Sequence, residues 1–212
     1  MPNLIAYLGR KVKSKGLNLN TQINQIMLQN YFLTDDYENL QLIPTLSFNH
    51  KTPTLLYPGC GADILFPLHY IEKLVPKPEK IYFHFVDLEN NLSLIKMILD
   101  DINIHFKEKN NNTLQFYWNK ILINLKFTTA NIFQIINTLN YDIYFERMFG
   151  IFKHQLPEYE HYVFNKLNYD GIIISDCGFQ DIPLSLFPSP KELSSYKEMI
   201  IGKKFIQSKL FL

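Results

Sequence analysis

Leu55 to Asp63 reads Leu-Leu-Tyr-Pro-Gly-Cys-Gly-Ala-Asp, an apolar run that ends in two glycines one residue apart. The stretch Thr54 to Pro58 is short and apolar almost throughout, the pattern of a strand covered on both faces. Gly59 and Gly61 then allow a tight backbone turn and let a ligand come within contact distance of the main chain. Pro67 suits the first turn of a helix that turns Leu68, Ile71, Leu74 and Val75 inward, and Pro76 and Pro78 end it. The unit is strand, glycine turn, helix.

Outward from this unit the alternation repeats. Lys80 to Asp87 predicts a second strand on Ile81, Phe83, Phe85 and Val86, and Asn90 to Asp101 a helix on Leu92, Ile95, Met97 and Ile98. Between Asn103 and Phe127 the period drops to two, first at Leu114, Phe116 and Trp118, then at Ile121, Ile123 and Leu125. Asn119 and Lys120 between them predict a hairpin, whose aromatic residues serve packing. There follow a helix from about Ile132 to Leu139, a strand from Tyr141 to Glu146, a helix from about Glu158 to Leu167 and a strand from Gly171 to Asp176. Glu198 to Ile201 and Lys204 to Leu212, joined by Gly202 and Lys203, read as a closing antiparallel hairpin. Ahead of the glycine unit, Ile23, Ile26, Met27, Tyr31 and Phe32 recur at helical spacing within Thr21 to Leu33. Thr34 to Pro53 keeps no period and reads as a connection.

Strands that alternate with helices need crossover connections. The expected fold is therefore α/β: a doubly wound, mostly parallel seven-stranded sheet with an antiparallel C-terminal hairpin, preceded by an N-terminal helical segment. Residues 1–50 are expected to form an arm or cap and residues 51–212 the main domain.

Of the 212 residues 47% are apolar and 19% charged, a balance that argues against a disordered or fibrous chain. A formal charge of +1 gives no long-range field to draw in nucleic acid, and Arg10, Lys11, Lys13 and Lys15 read as a solvated basic arm. Met1 to Arg10 does not resemble a secretory signal, and no apolar run reaches the roughly 18 residues of a membrane helix. A cytoplasmic location, away from membranes, is expected. Cys60 and Cys177 have neither a CxxC partner nor a nearby His at metal spacing, so both are expected to be reduced and structural. His154 and His161 lie near Glu158 and Glu160, but Pro157 separates them, and no metal is expected there. His84 falls in an apolar strand and reads as a packed residue.

In doubly wound sheets the ligand lies outside the carboxyl ends of the strands, where the strand order reverses. Asp87 ends the second strand about 25 residues past the glycines, where such folds set an acid on the ribose hydroxyls. A dinucleotide fingerprint would need glycine at position 64, where this chain has Ile64, and no GxxxxGK[ST] run exists. Both NAD and P-loop sites are disfavoured.

These pieces, in this order, resemble the class I, Rossmann-like S-adenosylmethionine-dependent methyltransferases over about Thr54 to Leu212. LLYPGCGAD (Leu55 to Asp63) matches the glycine motif, HFVD (His84 to Asp87) the ribose acid, YDIYFE (Tyr141 to Glu146) the fourth strand and YDGIIISD (Tyr169 to Asp176) the fifth. The resemblance implies S-adenosylmethionine as cofactor. It sets the main chain from Tyr57 through Gly59, Cys60 and Gly61 against the methionine part, Asp87 and Leu88 at the ribose, and Asn131 with Ile132 beside the adenine. Glu146 would face the sulfonium and the acceptor, as a candidate base. The chain departs from the family where Tyr57 replaces an acid, where Asp63 replaces a third glycine and where Asn131 replaces an acid beside adenine. Asp63 either receives the cofactor's ammonium or favours the positive end of the following helix.

Methyl transfer from a sulfonium is an in-line displacement in which the protein mainly aligns the groups. Tyr31 and Phe32, the stretch Met148 to Pro157 and the loop Cys177 to Ser195 would cover the acceptor. An Asn-Pro-Pro-Tyr motif is absent after the fourth strand, where Glu146, Arg147 and Met148 stand, so a small-molecule acceptor is preferred over a nucleic-acid base. Two other readings share the fold: a non-catalytic binding or partner subunit, and an aminopropyl transferase, which would want an acid-rich channel.

Overall fold

The parallel centre of the sheet follows from runs of apolar residues that have a core on both sides. In the computed structural model, which describes residues 10–33, 35–180, 182–194 and 197–205, the chain order is α1 (Gln25–Asn30), α2 (Asp36–Gln41), β1 (Leu46–Ser47), β2 (Thr54–Pro58), α3 (Leu65–Ile71), β3 (Leu74–Val75), β4 (Lys80–Asp87) and α4 (Leu92–Asp101). Then come β5 (Phe106–Asn110), β6 (Thr113–Trp118), β7 (Ile121–Thr129), α5 (Ile132–Ile135), β8 (Tyr141–Glu146), α6 (Gly150–Lys153), α7 (Tyr159–Lys166), β9 (Leu167–Ser175), β10 (Leu184–Leu186) and β11 (Ile200–Lys204).

The main sheet has nine strands in the order β10-β11-β9-β8-β2-β4-β7-β6-β5. From β9 to β7 all neighbours pair in parallel, and β6, β5, β11 and β10 are added antiparallel at the two edges. The sheet is therefore doubly wound as expected, with nine strands in place of seven. Successive connections leave β2 in opposite directions, toward β4 and β7 on one side and toward β8 and β9 on the other. The order reverses between β2 and β8.

Alternation along each central strand feeds two cores. Leu55, Tyr57, Phe85, Phe145, Ile172 and Ile174 face a core shared with α3, α4 and the amino-terminal residues Leu28, Leu40 and Phe48. Leu56, Val86, Tyr144 and Ile173 face the other, with Ile132, Tyr159 and Val163 from α5 and α7.

Several elements differ from expectation, for local reasons. The helix expected within Thr21 to Leu33 is only α1, capped by Asn24 accepting from the Met27 amide, and Ile26 points to solvent at 74% exposure. The connection before the sheet contains α2 and β1, which carry too few apolar residues to show a period; β1 pairs with β3. The closing hairpin uses other residues. β11 runs straight through Gly202 and Lys203, and its hairpin partner is β10, while residues 206–212 lie outside the described part. A side chain at Gly202 would strike Leu184 at 2.8 Å, which fits a glycine to that crossing.

The basic amino-terminal residues do more than meet solvent. Arg10 pairs with Asp100 and Asp101 at 2.5 and 2.7 Å, and Lys15 with Asp100 at 2.6 Å. These carboxylates sit at the carboxyl end of α4, where the helix dipole opposes them, and the two cations offset that field. His84 is half-buried, paired with Thr128 at 2.9 Å, and burial pulls its value down to about 4. Among the described residues no helix is long and apolar enough to cross a membrane.

Leu55 is fully buried in the strand beneath the glycine turn. Leu55→Ala should lower the unfolding free energy by about 2–5 kcal/mol, read from urea titration. A loss under about 1 kcal/mol would show that the strand is not packed as described.

Candidate functional site

At the end of β2 the ladder to β4 continues for one more bond, from the Gly59 amide to the Val86 carbonyl at 2.8 Å. The chain then turns through Gly59 and Gly61, with φ of +60° and +51°, a region that glycine enters without strain. Asp87, the last residue of β4, holds this turn. Its Oδ2 accepts from the Gly61 amide at 2.7 Å and its Oδ1 from the Glu89 amide at 3.2 Å. Leu88 beside it is 70% exposed. Asp87 pairs in register with Thr129, so Asn131 and Ile132 stand at the neighbouring strand end. Asn131 caps α5 by accepting from the Phe133 amide at 3.0 Å, and Ile132 is packed in the core. One edge of the sheet thus holds the glycine turn, Asp87, Leu88, Asn131 and Ile132.

The two glycines differ in surroundings. A Cβ added at Gly61 would meet nothing within 4 Å, whereas one at Gly59 would stand 2.6 Å from the Phe149 ring. Phe149 follows β8 and is itself buried against Phe133 and Tyr159. The Gly59 side of the turn is covered by an aromatic ring that sequence reading did not identify.

Tyr57 and Asp63, two of the three departures from the family pattern, act on each other. Tyr57 lies in the core between Phe85 and Phe145, and its hydroxyl donates to Asp63 Oδ2 at 2.8 Å. The Phe66 amide donates to Asp63 Oδ1 at 3.3 Å. Burial raises Asp63 above the usual carboxylate range, against the opposing pull of Arg147 and of the Tyr57 hydrogen bond. Cys60 is buried, and burial pushes its thiol up, which makes it inert.

Arg147 directly follows β8. Its guanidinium lies 3.6 Å from the centre of the Phe66 ring and 3.7 Å from Asp36 in α2. It borders two cavities. One, of about 290 Å³, is lined by Tyr31, Phe32, Cys60, Asp63, Phe66 and Arg147 among others. The second, of about 350 Å³, includes Asp36, Asn39, Arg147, Asp176, Glu192 and Ser194. The amino-terminal helices therefore roof the carboxyl edge next to the turn.

Glu146 does not open on these cavities, contrary to its expected role facing the acceptor. Its side chain is 0% exposed and accepts from Tyr144 Oη at 2.7 Å, Lys153 Nζ at 2.9 Å, Ser175 Oγ at 2.6 Å and Cys177 Sγ at 3.2 Å. Lys153, 1% exposed, also pairs with Glu160 at 2.8 Å and donates to the Gly178 carbonyl. Burial works against the Lys153 charge, but the Glu146 and Glu160 carboxylates outweigh it and hold the ammonium above its usual range. The physical reason for the changed role is this enclosure: the acid joins the loops after β8 and β9 and has no free face.

No family model matches the chain, and no curated protein matches it. Solved structures do. An O-methyltransferase family protein from Burkholderia thailandensis superposes with a TM-score of 0.51 and 8% identity, over 86% of this chain and 58% of that one. The O-methyltransferase TomG from Streptomyces achromogenes, in complex with SAM, gives 0.39 and 12% identity over 81% and 69%. The chain spans little more than half the length of the first of these. The fold is that of the class I S-adenosylmethionine-dependent methyltransferases.

Lys153→Met leaves the Glu146 carboxylate buried beside a neutral chain, and should cost about 3–5 kcal/mol in urea titration. Adding Glu146→Gln should recover part of that loss, and a double variant as unstable as the sum of the singles would contradict the pairing. For Asp63 the folded value is raised, so the stability it contributes is present at low pH and lost as pH rises through that value. Asp63→Asn is neutral at every pH. Its melting temperature minus that of the wild type should therefore fall between pH 7 and pH 4, and a difference that grows on acidification would contradict the assignment.

Proposed function

We propose that the chain binds S-adenosylmethionine at the carboxyl edge of its sheet and transfers the methyl group to a small-molecule acceptor. The observation that supports this best is the contact of Asp87 with the glycine turn. The carboxylate accepts from the Gly61 amide at 2.7 Å, while the space beside the Gly61 Cα is open to at least 4 Å. A carboxylate and bare backbone stand side by side where the strand order reverses, which is where doubly wound folds bind nucleosides.

These residues fit a nucleoside. In this reading Asp87 takes the ribose hydroxyls, Leu88 and Asn131 flank the base, and Ile132 contributes through its main chain. Tyr57 and Cys60, both buried, support the turn from below, and Gly61 and Asp63 border the thioether end. The cofactor, when bound, supplies a methyl on a sulfonium that departs as a neutral thioether. The protein's part is alignment and exclusion of water. The cap, residues up to about 50, supplies Tyr31, Phe32 and Asp36 to the roof, and Glu146 with Lys153 fixes the loops that carry Arg147 and Asp176. The acceptor sits under that roof, and the protein works in the cytoplasm.

The ring of Phe149 over Gly59 favours a second reading, a non-catalytic binding subunit of the same fold. Calorimetric titration with S-adenosylhomocysteine and a labelled-methyl assay separate the two. The first reading predicts binding by the wild type, about tenfold or more weaker in Asp87→Ala, as expected for loss of charge-assisted hydrogen bonds. Methyl should also reach an acceptor. Weak or absent binding, no transfer to any of a broad acceptor panel and a stable partner on co-purification support the second reading, and tight binding unchanged by Asp87→Ala contradicts the first.

A further inference from the structure

Arg147 and Asp63 line the same cavity with opposite charges, yet among the described residues no ion pair within 4 Å joins them. The Arg147 side chain is 25% exposed, and among the described residues its guanidinium makes no hydrogen bond and a single ion pair, 3.7 Å to Asp36. Five donors in a planar fork are thus left largely unspent, held flat by the Phe66 face at 3.6 Å. A guanidinium held in this way keeps donors available to an anionic group that enters the cavity. Asp63, fixed by Tyr57 and the Phe66 amide, is equally set in place.

We propose that Arg147 and Asp63 together recognise a zwitterionic amino-acid end of the ligand, its carboxylate on the Arg147 guanidinium and its ammonium on Asp63. This rests on the reading of the glycine turn as a site for a nucleoside sulfonium. A ligand with only negative charge would leave Asp63 facing a like charge, and one with only positive charge would do the same to Arg147. The cavity begins at Cys60, Ala62 and Asp63, which flank the open Gly61, while Phe149 blocks the Gly59 side. An amino-acid tail leaving the turn is directed toward Asp63 and Arg147, beneath Tyr31 and Phe32. In this chain an acid after the second glycine and an arginine after β8 take over the grip on that tail, in place of an acid at the end of β2.

Two probes test this by calorimetry: S-adenosylhomocysteine, which has the amino-acid end, and 5′-methylthioadenosine, which lacks it. Wild type, Arg147→Met, Arg147→Lys and Asp63→Asn are compared, with folding checked by circular dichroism. Arg147→Met and Asp63→Asn should each weaken S-adenosylhomocysteine about tenfold or more and leave 5′-methylthioadenosine within about twofold, as lost charge-assisted bonds would. Arg147→Lys should fall between. Should Arg147→Met not fold, Asp63→Asn and Arg147→Lys carry the comparison. If both probes bind and the variants weaken both equally or neither, this proposal is overturned while the nucleoside site stands. If neither probe binds the wild type, the nucleoside site itself fails and this proposal with it.

Discussion

The carboxylate of Asp87, accepting from the Gly61 amide at 2.7 Å, ties the ends of the two central strands to each other. The turn, with positive φ at Gly59 and Gly61, is closed by a bond from the Asp63 amide to the Cys60 carbonyl at 2.9 Å, and the Asp87 bond, with the one from Gly59 to Val86, fastens it to β4. Everything at the carboxyl edge is placed relative to it. The turn sets where α3 begins, hence where Asp63 and Phe66 stand, and Phe66 in turn carries the Arg147 guanidinium. The loop after β8 reaches back over Gly59 through Phe149.

That loop is held from beneath by charge. Glu146 and Lys153 are enclosed, and the bonds of Ser175 and Cys177 to the same carboxylate join it to the loop after β9. The two loops are therefore joined through one buried carboxylate. A buried ion pair is weak evidence for stability, but one whose removal leaves a lone charge constrains geometry strongly. Here the constraint falls on the residues that line the roofed cavities, Arg147 and Asp176.

The central strands were legible in the sequence because β2 and β8 are apolar almost throughout and β4 alternates Ile81, Phe83 and Phe85 with more exposed residues, each run being closed by a glycine or an acid. The hairpin at Asn119 and Lys120 was legible for a local reason, since both residues take positive φ, as a tight two-residue turn requires. Edge elements were not. β5 buries Phe106 but turns most of Lys107 to Asn110 outward, and β10 lies just after Pro183 with only a half-buried Leu184. At the site, the glycine turn and Asp87 could be read from spacing. The fate of Glu146 could not, because Ser175 and Cys177 lie about thirty residues on and become neighbours only when β8 pairs with β9. The contact of Phe149 with Gly59 is equally non-local. A lysine seven residues after a strand-end acid was a faint signal, since α6 brings it back under the strand.

The central claim is that a nucleoside rests against the open Gly61 and the Asp87 carboxylate. Amide chemical shifts of isotopically labelled protein, followed by NMR during titration with S-adenosylhomocysteine, test it most directly. The account predicts saturable shifts concentrated at Gly61, Ala62, Leu88 and Ile132, with the Gly61 amide among the largest. Saturable shifts confined to residues remote from this edge, or none at any concentration, would contradict it.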